Sequence, residues 1–520
     1  MKLDYKRTIL VGFAFFLISA FWQAYDATIA LTLTNKFGMD QFWSGVVMAL
    51  DNILALFLLP LFGALSDKHK GKSGRRTPFV RLGTVVAAVA LVGLGFIDNM
   101  QLKQIQPVTV VDDPAALEVI YDTQANKTLK TPEGDEFVLS EKFTKEQFVS
   151  IRSEDDEEDV ADKNAENTPY TSYVVPARQG YAADQTAENK TPLILFIAVL
   201  LVLLLAMGIF RSPAVALMPD VTIKPLRSKA NAIINLMGAA GGIIVLLLGM
   251  GFAFDISGVQ NAMMNYVPYY ITIAAVMLVA LAIFLVKVKE PDWVKKMQED
   301  TAKLGIEEDT EQSGEKRKLS RGEKASLICI LLSVALWYFG YNAVTSKYSV
   351  YAPNVLQKSY SMTMLIAQGC AIVAYVPAGI VASRIGRKKT ILAGVVMLCT
   401  AFTVASFMRA NSPAVLMYIM FGLAGIAWAT INVNSFPMVV EMCAGSDVGK
   451  YTGFYYTASM AAQTLTPMLS GFLMKQFGMT VLFPYAAIFV GLAFVTMFVV
   501  KHGDTKPAAQ KNLEAMDVDV

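Results

Sequence analysis

The feature that most constrains this chain is a series of apolar blocks, each roughly 20 residues long, separated by polar loops. A helix of about 20 residues, at a rise of about 1.5 Å per residue, crosses the hydrocarbon core of a bilayer. Lipid offers no partner to a free backbone amide, so such blocks are expected to be helices. We number the blocks as spans 1 to 12, at residues 8–34, 42–66, 80–97, 192–216, 230–254, 268–287, 325–350, 360–382, 390–408, 413–437, 450–474 and 480–500. They predict an all-α membrane protein with twelve transmembrane helices.

Composition excludes several function classes. Hydrophobic residues make up 54% of the chain and charged residues 17%, where a soluble protein carries about 25% charged residues. The net charge is +2 and the basic residues cluster at the ends of the spans, which argues against a nucleic-acid partner. The cysteines lie in or beside apolar blocks, without disulfide or metal-ligand spacing. No nucleophile and base constellation indicates an enzyme, and nothing in the sequence calls for a metal or a cofactor.

The loops predict the orientation in the membrane. Lys and Arg are concentrated after span 2, in Asp67–Arg76, after span 4, and after span 8, in Ser383–Lys389. Short loops rich in Lys and Arg stay in the cytoplasm. With an even number of spans, both termini are expected on that same side, in a multi-pass protein of the cell (cytoplasmic or inner) membrane.

Polar segments divide the chain into predicted domains. An N-terminal six-helix half covers 1–97 and 191–287, and a C-terminal half covers 325–500. Between spans 3 and 4 lies an extracellular or periplasmic insertion, 98–190; its stretch 101–190 holds 9 Lys and Arg against 19 Asp and Glu, a net charge of −10. Strands are allowed over Glu133–Val149, and Glu154–Asp159 is expected to be disordered. We interpret the insertion as solvated and without its own activity. Segment 288–324 is a cytoplasmic linker and 501–520 a cytoplasmic tail.

The two halves carry the same signals in the same order. Trp22-Gln-Ala-Tyr-Asp26 of span 1 corresponds to Trp337-Tyr-Phe-Gly-Tyr-Asn342 of span 7. Each half then has a proline in its second span, a basic loop after it, and an acidic residue after its fourth span, Asp220 or Glu441. Duplicated six-helix halves are typical of secondary transporters, whose binding site lies between the halves near the midplane.

Placing an ionisable side chain in the hydrocarbon core costs free energy, so each such residue inside a span is a candidate site residue. Asp26 and Asp51 lie at comparable depths in spans 1 and 2, and we take them as candidates for proton coupling, Asp26 first. Arg211 of span 4 corresponds in the repeat to Asn432 of span 10. The arginine could bind a substrate, or extend its charge to the headgroups.

Aromatic residues cluster beside these polar positions, where ring faces could stack on a sugar and amides could take its hydroxyls. An alternative role is packing, or an aromatic belt at the membrane surface. The substrate-binding candidates are Trp22, Tyr25, Arg211, Trp337, Tyr338, Tyr341, Asn342, Trp428, Asn432 and Tyr455.

Charged residues at the predicted cytoplasmic ends of the spans form a candidate gate. Basic residues there set the topology, but their acidic neighbours do not, so a charge network that closes the inner gate is expected. Its members are Asp67, Lys68, Arg75, Arg76, Asp220, Arg384, Arg387 and Glu441.

Gly63-Ala-Leu-Ser-Asp67-Lys68, followed by Gly74-Arg-Arg76, resembles the loop 2–3 signature of the major facilitator superfamily. The longer loop ending in Gly-Arg-Arg-Thr-Pro-Phe79 is similar to sucrose–proton symporters, and Phe210-Arg-Ser-Pro213 to Asp220 resembles their spans 4–5. The resemblance covers the twelve spans and not the insertion. It implies the major facilitator fold and places Asp26 where plant carriers have Gln and animal relatives Glu.

The chain is more distantly similar to glycoside–pentoside–hexuronide:cation symporters. Their two acidic cation-site residues of span 2 would fall at Ala55 and Leu59, and their sugar-binding Asp at Ser19. The absence of acidic residues at these positions favours coupling to protons over coupling to sodium. The resemblance therefore implies a monomeric, proton-coupled symporter of a sucrose- or maltose-like oligosaccharide. The alternatives are a sodium-coupled glycoside symporter, a proton-antiporting exporter of amphipathic compounds, and a non-transporting membrane sensor.

Overall fold

The computed structural model describes residues 3–152, 169–223, 226–252, 263–303, 320–440, 442 and 448–502. Within these ranges, twelve helices of 18 residues or more correspond one to one to spans 1–12. They are Tyr5–Leu31, Gln41–Lys68, Thr77–Gln104, Thr191–Val221, Arg227–Phe252, Val267–Lys287, Arg321–Tyr351, Tyr360–Ile385, Arg387–Ser406, Ala414–Val440, Val448–Phe477 and Leu482–Val499. The nearly all-helical fold expected from the apolar blocks is confirmed.

Eleven helices of the described chain are long and apolar enough to cross a membrane. Span 11, Val448–Phe477, is a 30-residue helix outside this set. It carries Gln463, Thr464 and Thr466 along its middle, and Gln463 faces a cavity described below. These polar residues lower the mean hydropathy of the helix; Thr466 is buried, and Gln463 and Thr464 are partly buried.

The repeat is visible in the backbone as well as in the sequence. Span 1 continues into a single π-helical turn at Thr32–Lys36, and span 7 continues into one at Ala352–Leu356. We call the face at which these turns lie, next to the insertion, the insertion side. The opposite face, where span 1 begins and span 12 ends, is the termini side.

The halves meet along three pairs of helices. Span 2 packs against span 11, span 5 against span 8, and span 1 against span 7. Span 1 also packs along span 5 of its own half, and one hydrophobic core connects all of them.

The insertion folds around a hydrophobic cluster of its own. It contains helices Pro114–Gln124, Leu139–Lys142, Lys145–Ser150 and Val175–Glu188, and an antiparallel hairpin that pairs Thr128–Lys130 with Glu136–Val138. Its buried residues include Ile120, Phe137, Phe148 and Tyr170. Within Glu133–Val149, where the sequence allows strands, Glu136–Val138 forms one strand and two short helices, Leu139–Lys142 and Lys145–Ser150, follow it. Glu154–Asp159 lies outside the described residues.

The linker begins as a helix, Glu290–Lys303, against span 4. Residues 304–319 and the tail from 503 lie outside the described part of the chain.

Candidate functional site

A cavity of about 190 Å³ lies between the two halves. Six of the residues singled out from the sequence line it together: Trp22, Tyr25, Asp26, Asp51, Arg211 and Asn342. They come from spans 1, 2, 4 and 7, far apart in the sequence. The same cavity is lined by Met48, Asn52, Thr345, Ser346, Gln463 and Pro467, which the sequence analysis did not select.

Both candidate carboxylates face this cavity. Asp26 comes from span 1 and Asp51 from span 2, and each is partly buried. The Asn52 side chain donates a hydrogen bond to Asp51 Oδ1 at 2.7 Å. Arg211 is the single cation among the lining residues, so the described wall carries two potential negative charges against one positive charge.

The arginine is held against an aromatic wall. Its guanidinium lies over the Trp22 ring, 5.4 Å from the centroid. Trp22 in turn meets Tyr25 edge to face at 5.4 Å. A cation over an indole face is attracted by the ring electrons, which fixes the guanidinium beside the cavity instead of at the membrane surface. The position of Arg211 thus favours a site role over contact with headgroups.

Three polar atoms at this site have no hydrogen-bond partner among the described residues. They are Trp22 Nε1, the Tyr25 hydroxyl and Asn342 Nδ2. Buried donors are normally satisfied, because an unpaired one costs about 1–3 kcal/mol. Water or a bound solute in the cavity would satisfy them.

The remaining aromatic candidates form a separate group in the second half. Tyr341 stacks on Trp428 with ring centroids 3.6 Å apart, and Tyr338 meets the same indole at 5.2 Å. The Tyr455 hydroxyl lies 2.9 Å from Ser435 Oγ. These rings pack mainly against one another, and Asn432 is partly buried on span 10.

Trp337 stands apart from both groups. It is fully buried in the hydrophobic core, although it occupies the repeat position of Trp22. The two halves therefore turn equivalent tryptophans in different directions, one to the cavity and one to the core.

Polar contacts close the insertion side above the cavity. The Lys347 ammonium of span 7 donates to Gln41 O at 2.9 Å and lies 3.4 Å from Ser44 Oγ, both on span 2. Asp40 forms an ion pair with Lys475 of span 11 at 2.8 Å. Each of these contacts joins the first half to the second.

Two glycines allow the helix crossing beneath these contacts. A Cβ on Gly45 would lie 2.1 Å from Pro467 O, and one on Gly471 would lie 2.2 Å from Gln41 O. Spans 2 and 11 therefore touch backbone to backbone on the insertion side. Gln23 of span 1 adds a bridge to the second half, since it donates to the Tyr360 hydroxyl at 3.0 Å.

On the termini side, four of the gate candidates form one cluster. Arg75 and Arg76 both pair with Asp220, at 2.8 Å each, and Arg76 also pairs with Asp67. Burial alone would lower the pKa of Arg76, but its hydrogen bonds to Asp220 and Asp67 raise that pKa above its ordinary value. All four residues belong to the first half, so the cluster joins the loop after span 2 to the end of span 4.

Glu290 of the linker is a fifth member that the sequence analysis missed. Its buried carboxylate accepts hydrogen bonds from the backbone N–H groups of Arg75, Arg76 and Thr77 at 2.8 Å. Three consecutive free N–H groups at the start of a helix attract an anion. The acidic residue and the helix start are 213 residues apart, so no local motif indicated the pair.

The other gate candidates lie elsewhere. Lys68 and Arg384 are exposed, and Arg387 is partly buried at the start of span 9. Glu441 lies outside the described residues.

A buried ion pair was also missed. Lys36 Nζ lies 2.6 Å from Asp98 Oδ2, and both side chains are fully buried. The sequence placed Lys36 after span 1 and Asp98 in the insertion, whereas the helices extend to include both.

Comparisons with known proteins identify the fold. The family model described as Major Facilitator Superfamily matches residues 186–374 and 359–517. Two curated relatives, each called MFS-type transporter ppzB, come from Metarhizium rileyi and Metarhizium majus. The first is 25% identical over 141 residues, which are 27% of this chain and 29% of that protein. The second is 24% identical over 141 residues, which are 27% of this chain and 30% of that protein. The chain thus matches less than a third of the length of either relative.

Solved structures resemble almost the whole chain. The inward-open xylose transporter XylE from E. coli is 15% identical, with 94% of this chain and 95% of that chain covered and a TM-score of 0.57. A bacterial homologue of the iron transporter ferroportin, inward-facing, is 13% identical with a TM-score of 0.59, covering 96% and 99%. The nucleoside transporter NupG is 14% identical with a TM-score of 0.52, covering 95% and 98%. At these identities the similarity shows the fold alone.

Proposed function

Because the chain belongs to the major facilitator superfamily, we propose that it is a secondary transporter that imports an oligosaccharide of the sucrose or maltose type together with a proton. Such carriers bind their solute between two halves that rock about it. The observation that carries the proposal is the shared cavity of Asp26, Asp51, Arg211 and Trp22. It joins groups that can exchange a proton to groups that can hold a sugar.

The walls of the cavity fit a polyhydroxylated solute. Asn52, Asn342, Ser346 and Gln463 offer amides and a hydroxyl, which can both donate and accept hydrogen bonds. The Trp22 ring supplies a flat apolar surface beside them. A sugar presents hydroxyls at its edge and C–H groups on its face, which matches this combination.

The charge balance of the cavity supports coupling to a cation. Two carboxylates face a single guanidinium, so an added proton brings the described lining to neutrality. Binding of the proton and binding of a neutral sugar are then linked, since each is favoured when the other is present. We assign the proton to Asp26 first and to Asp51 second.

Uptake by proteoliposomes tests the proposal. Labelled sucrose, maltose, xylose, a nucleoside and a lipophilic cation are each offered with an imposed proton gradient, with a sodium gradient, and with neither. The proposal expects accumulation of a disaccharide that depends on the proton gradient. Accumulation under the sodium gradient alone, or proton-driven expulsion of the lipophilic cation with no disaccharide uptake, would contradict it.

A further inference from the structure

The tip of the insertion's hairpin rests on the second half of the protein. The Met479 N–H, in the loop between spans 11 and 12, donates a hydrogen bond to Pro132 O at 2.6 Å. Pro132 belongs to the turn between the strands Thr128–Lys130 and Glu136–Val138. The insertion is joined covalently to spans 3 and 4, so this contact crosses from the first half to the second.

Two glycines with positive φ face each other at this contact. Gly134 has a φ of 101° and Gly478 a φ of 85°. A Cβ on Gly134 would lie 2.8 Å from Gly478 N, and one on Gly478 would lie 2.1 Å from Glu133 O. Both turns therefore present bare backbone, and the surfaces fit only because neither residue has a side chain.

A second contact joins the insertion to the loop between spans 7 and 8. Gln357 donates a hydrogen bond from Nε2 to Thr171 Oγ1 at 3.0 Å. Among the described residues other than glycine, Gln357 is the one with a positive φ, at 50°. A strained backbone at a point of contact between two parts of a protein is often functional.

The hairpin tip also lies within electrostatic range of the loop between spans 9 and 10. Glu133, at the hairpin tip, interacts with Arg409 of that loop. Lys358 ties this loop to the preceding one, since it donates to Ala410 O at 3.2 Å. The insertion therefore reaches all three insertion-side loops of the second half.

We propose that the insertion is a strap that holds the two halves together on the insertion side and must release its hairpin tip from the loop at Phe477–Met479 before that side can open. The halves cannot separate there while the Pro132–Met479 hydrogen bond and the paired glycines stay in place. The strap adds to the closure made by Lys347 and by the crossing of spans 2 and 11. It concerns opening and closing alone and does not depend on the solute or the coupling ion.

Distances between spin labels test the strap in the full chain without substrate. Cysteines at Lys103, on span 3, and Asn411, between spans 9 and 10, are both exposed and mark the insertion-side ends of the two halves. The four native cysteines are replaced by serine. A second pair, at Lys72 and Lys389, marks the termini side. Double electron–electron resonance then gives the population of each separation.

Two variants release the strap from opposite sides. In one, Thr131–Asp135 is replaced by the two-residue turn Asn-Gly, which keeps the hairpin but removes its tip. In the other, Gly478→Ala blocks the docking surface. Lys130→Ala with Glu136→Ala, a pair of exposed residues on the strands, is the matched control.

We expect the closed population on the insertion side to fall about fivefold relative to the open one in either variant, the effect of losing one hydrogen bond. The termini-side pair should shift to shorter distances, and the control should match the parent. Combining the two variants should add little to either one. Unchanged distance distributions in both variants would overturn the proposal, as would an additive effect of the combination.

Discussion

Glu290 binds Thr77 twice: its carboxylate accepts a hydrogen bond from the Thr77 backbone N–H at 2.8 Å and another from the Thr77 hydroxyl at 2.7 Å. The same carboxylate accepts the N–H groups of the two preceding residues. The linker helix thus supplies the cap for the start of span 3, and it orients the loop whose arginines pair with Asp220. Stability of the first half depends on a residue that lies beyond its sixth span.

We expect Glu290→Ala to destabilise the protein by about 3 kcal/mol, because several buried N–H groups lose a charged acceptor at once. Glu290→Gln, which keeps one acceptor oxygen, should cost less. Thermal unfolding in detergent measures both. Asp292→Ala, an exposed acidic residue on the same helix, is the control and should leave the melting temperature unchanged. Equal effects at positions 290 and 292 would contradict the capping role.

Arg76→Gln should slow transport more than it weakens solute binding. Arg76 pairs with Asp220 and Asp67 on the termini side, whereas Arg211 and the aromatic wall line the cavity between the halves. Loss of the arginine therefore disrupts the termini-side charge cluster and leaves the lining of the cavity in place. Lys68→Gln, at the exposed last residue of span 2, should have a small effect. Initial uptake rates and equilibrium binding separate the two quantities; binding weakened as much as transport would refute the gate role.

The spans could be predicted from the sequence because hydrocarbon imposes a length and a composition on each of them. Their ends could not. Span 3 was expected to stop at residue 97, but the helix runs to Gln104 because the folded insertion covers its polar end. Asp98 is buried there against Lys36, and neither partner looks intramembrane when read alone. Span 11 was expected despite the polar residues along its middle, and one of them, Gln463, lines the cavity between the halves.

The candidate site was predicted in part. Asp26, Asp51 and Arg211 stood out because a charge inside a span needs a reason, and they line one cavity. Gln463 and Ser346 did not stand out, since neutral polar residues occur widely in spans. Trp22 and Trp337 are equivalent in the repeat, yet only Trp22 lines the cavity, because the rotation of a helix depends on its tertiary neighbours.

The crossing of spans 2 and 11 gives a prediction for gating. Gly45→Ala or Gly471→Ala places a methyl group within about 2 Å of a carbonyl oxygen of the facing helix, so the insertion side should no longer close. We expect proper membrane insertion, a larger label separation on the insertion side, and transport reduced at least tenfold. Gly453→Ala, on the same span 11 but with nothing near its Cβ position, is the matched control. Closure at the parent level in either crossing variant would count against the tight contact.

The strap should respond through Glu133 to the pH on the insertion side. Burial raises the pKa of Glu133 when the hairpin is docked. Hydrogen bonds with its own backbone and with Thr131, and the positive charge of Arg409, offset part of this rise, whereas the negative charge of Asp135 adds to it. The cost of burying the carboxylate charge therefore outweighs its attraction to Arg409. Because the pKa is higher in the docked state, protonation of Glu133 stabilises docking. This stabilisation is complete below the ordinary glutamate pKa of about 4.3. It is lost as pH rises through the docked value.

Acidification should therefore increase the closed population reported by the Lys103 and Asn411 labels. Glu133→Gln stays neutral at every pH, so its closed population should be high and independent of pH over the same range. Glu136→Gln, an exposed carboxylate of the same hairpin, should keep the parent response. A pH response that persists unchanged in Glu133→Gln would assign it to another group.

Asp26 offers the most direct test of coupling. It shares the cavity with Asn342, the residue at the matching place of span 7, so one half contributes a titratable group and the other a neutral one of similar shape. Asp26→Asn mimics the protonated carboxyl at nearly the same size. It should keep solute binding and exchange but lose accumulation driven by a pH gradient. Asp51→Asn, in the same cavity, is the comparison. Both carboxylates line the same cavity, so either one can be linked to solute binding. If Asp26→Asn still concentrates solute like the parent and Asp51→Asn does not, the proton-coupling residue is Asp51.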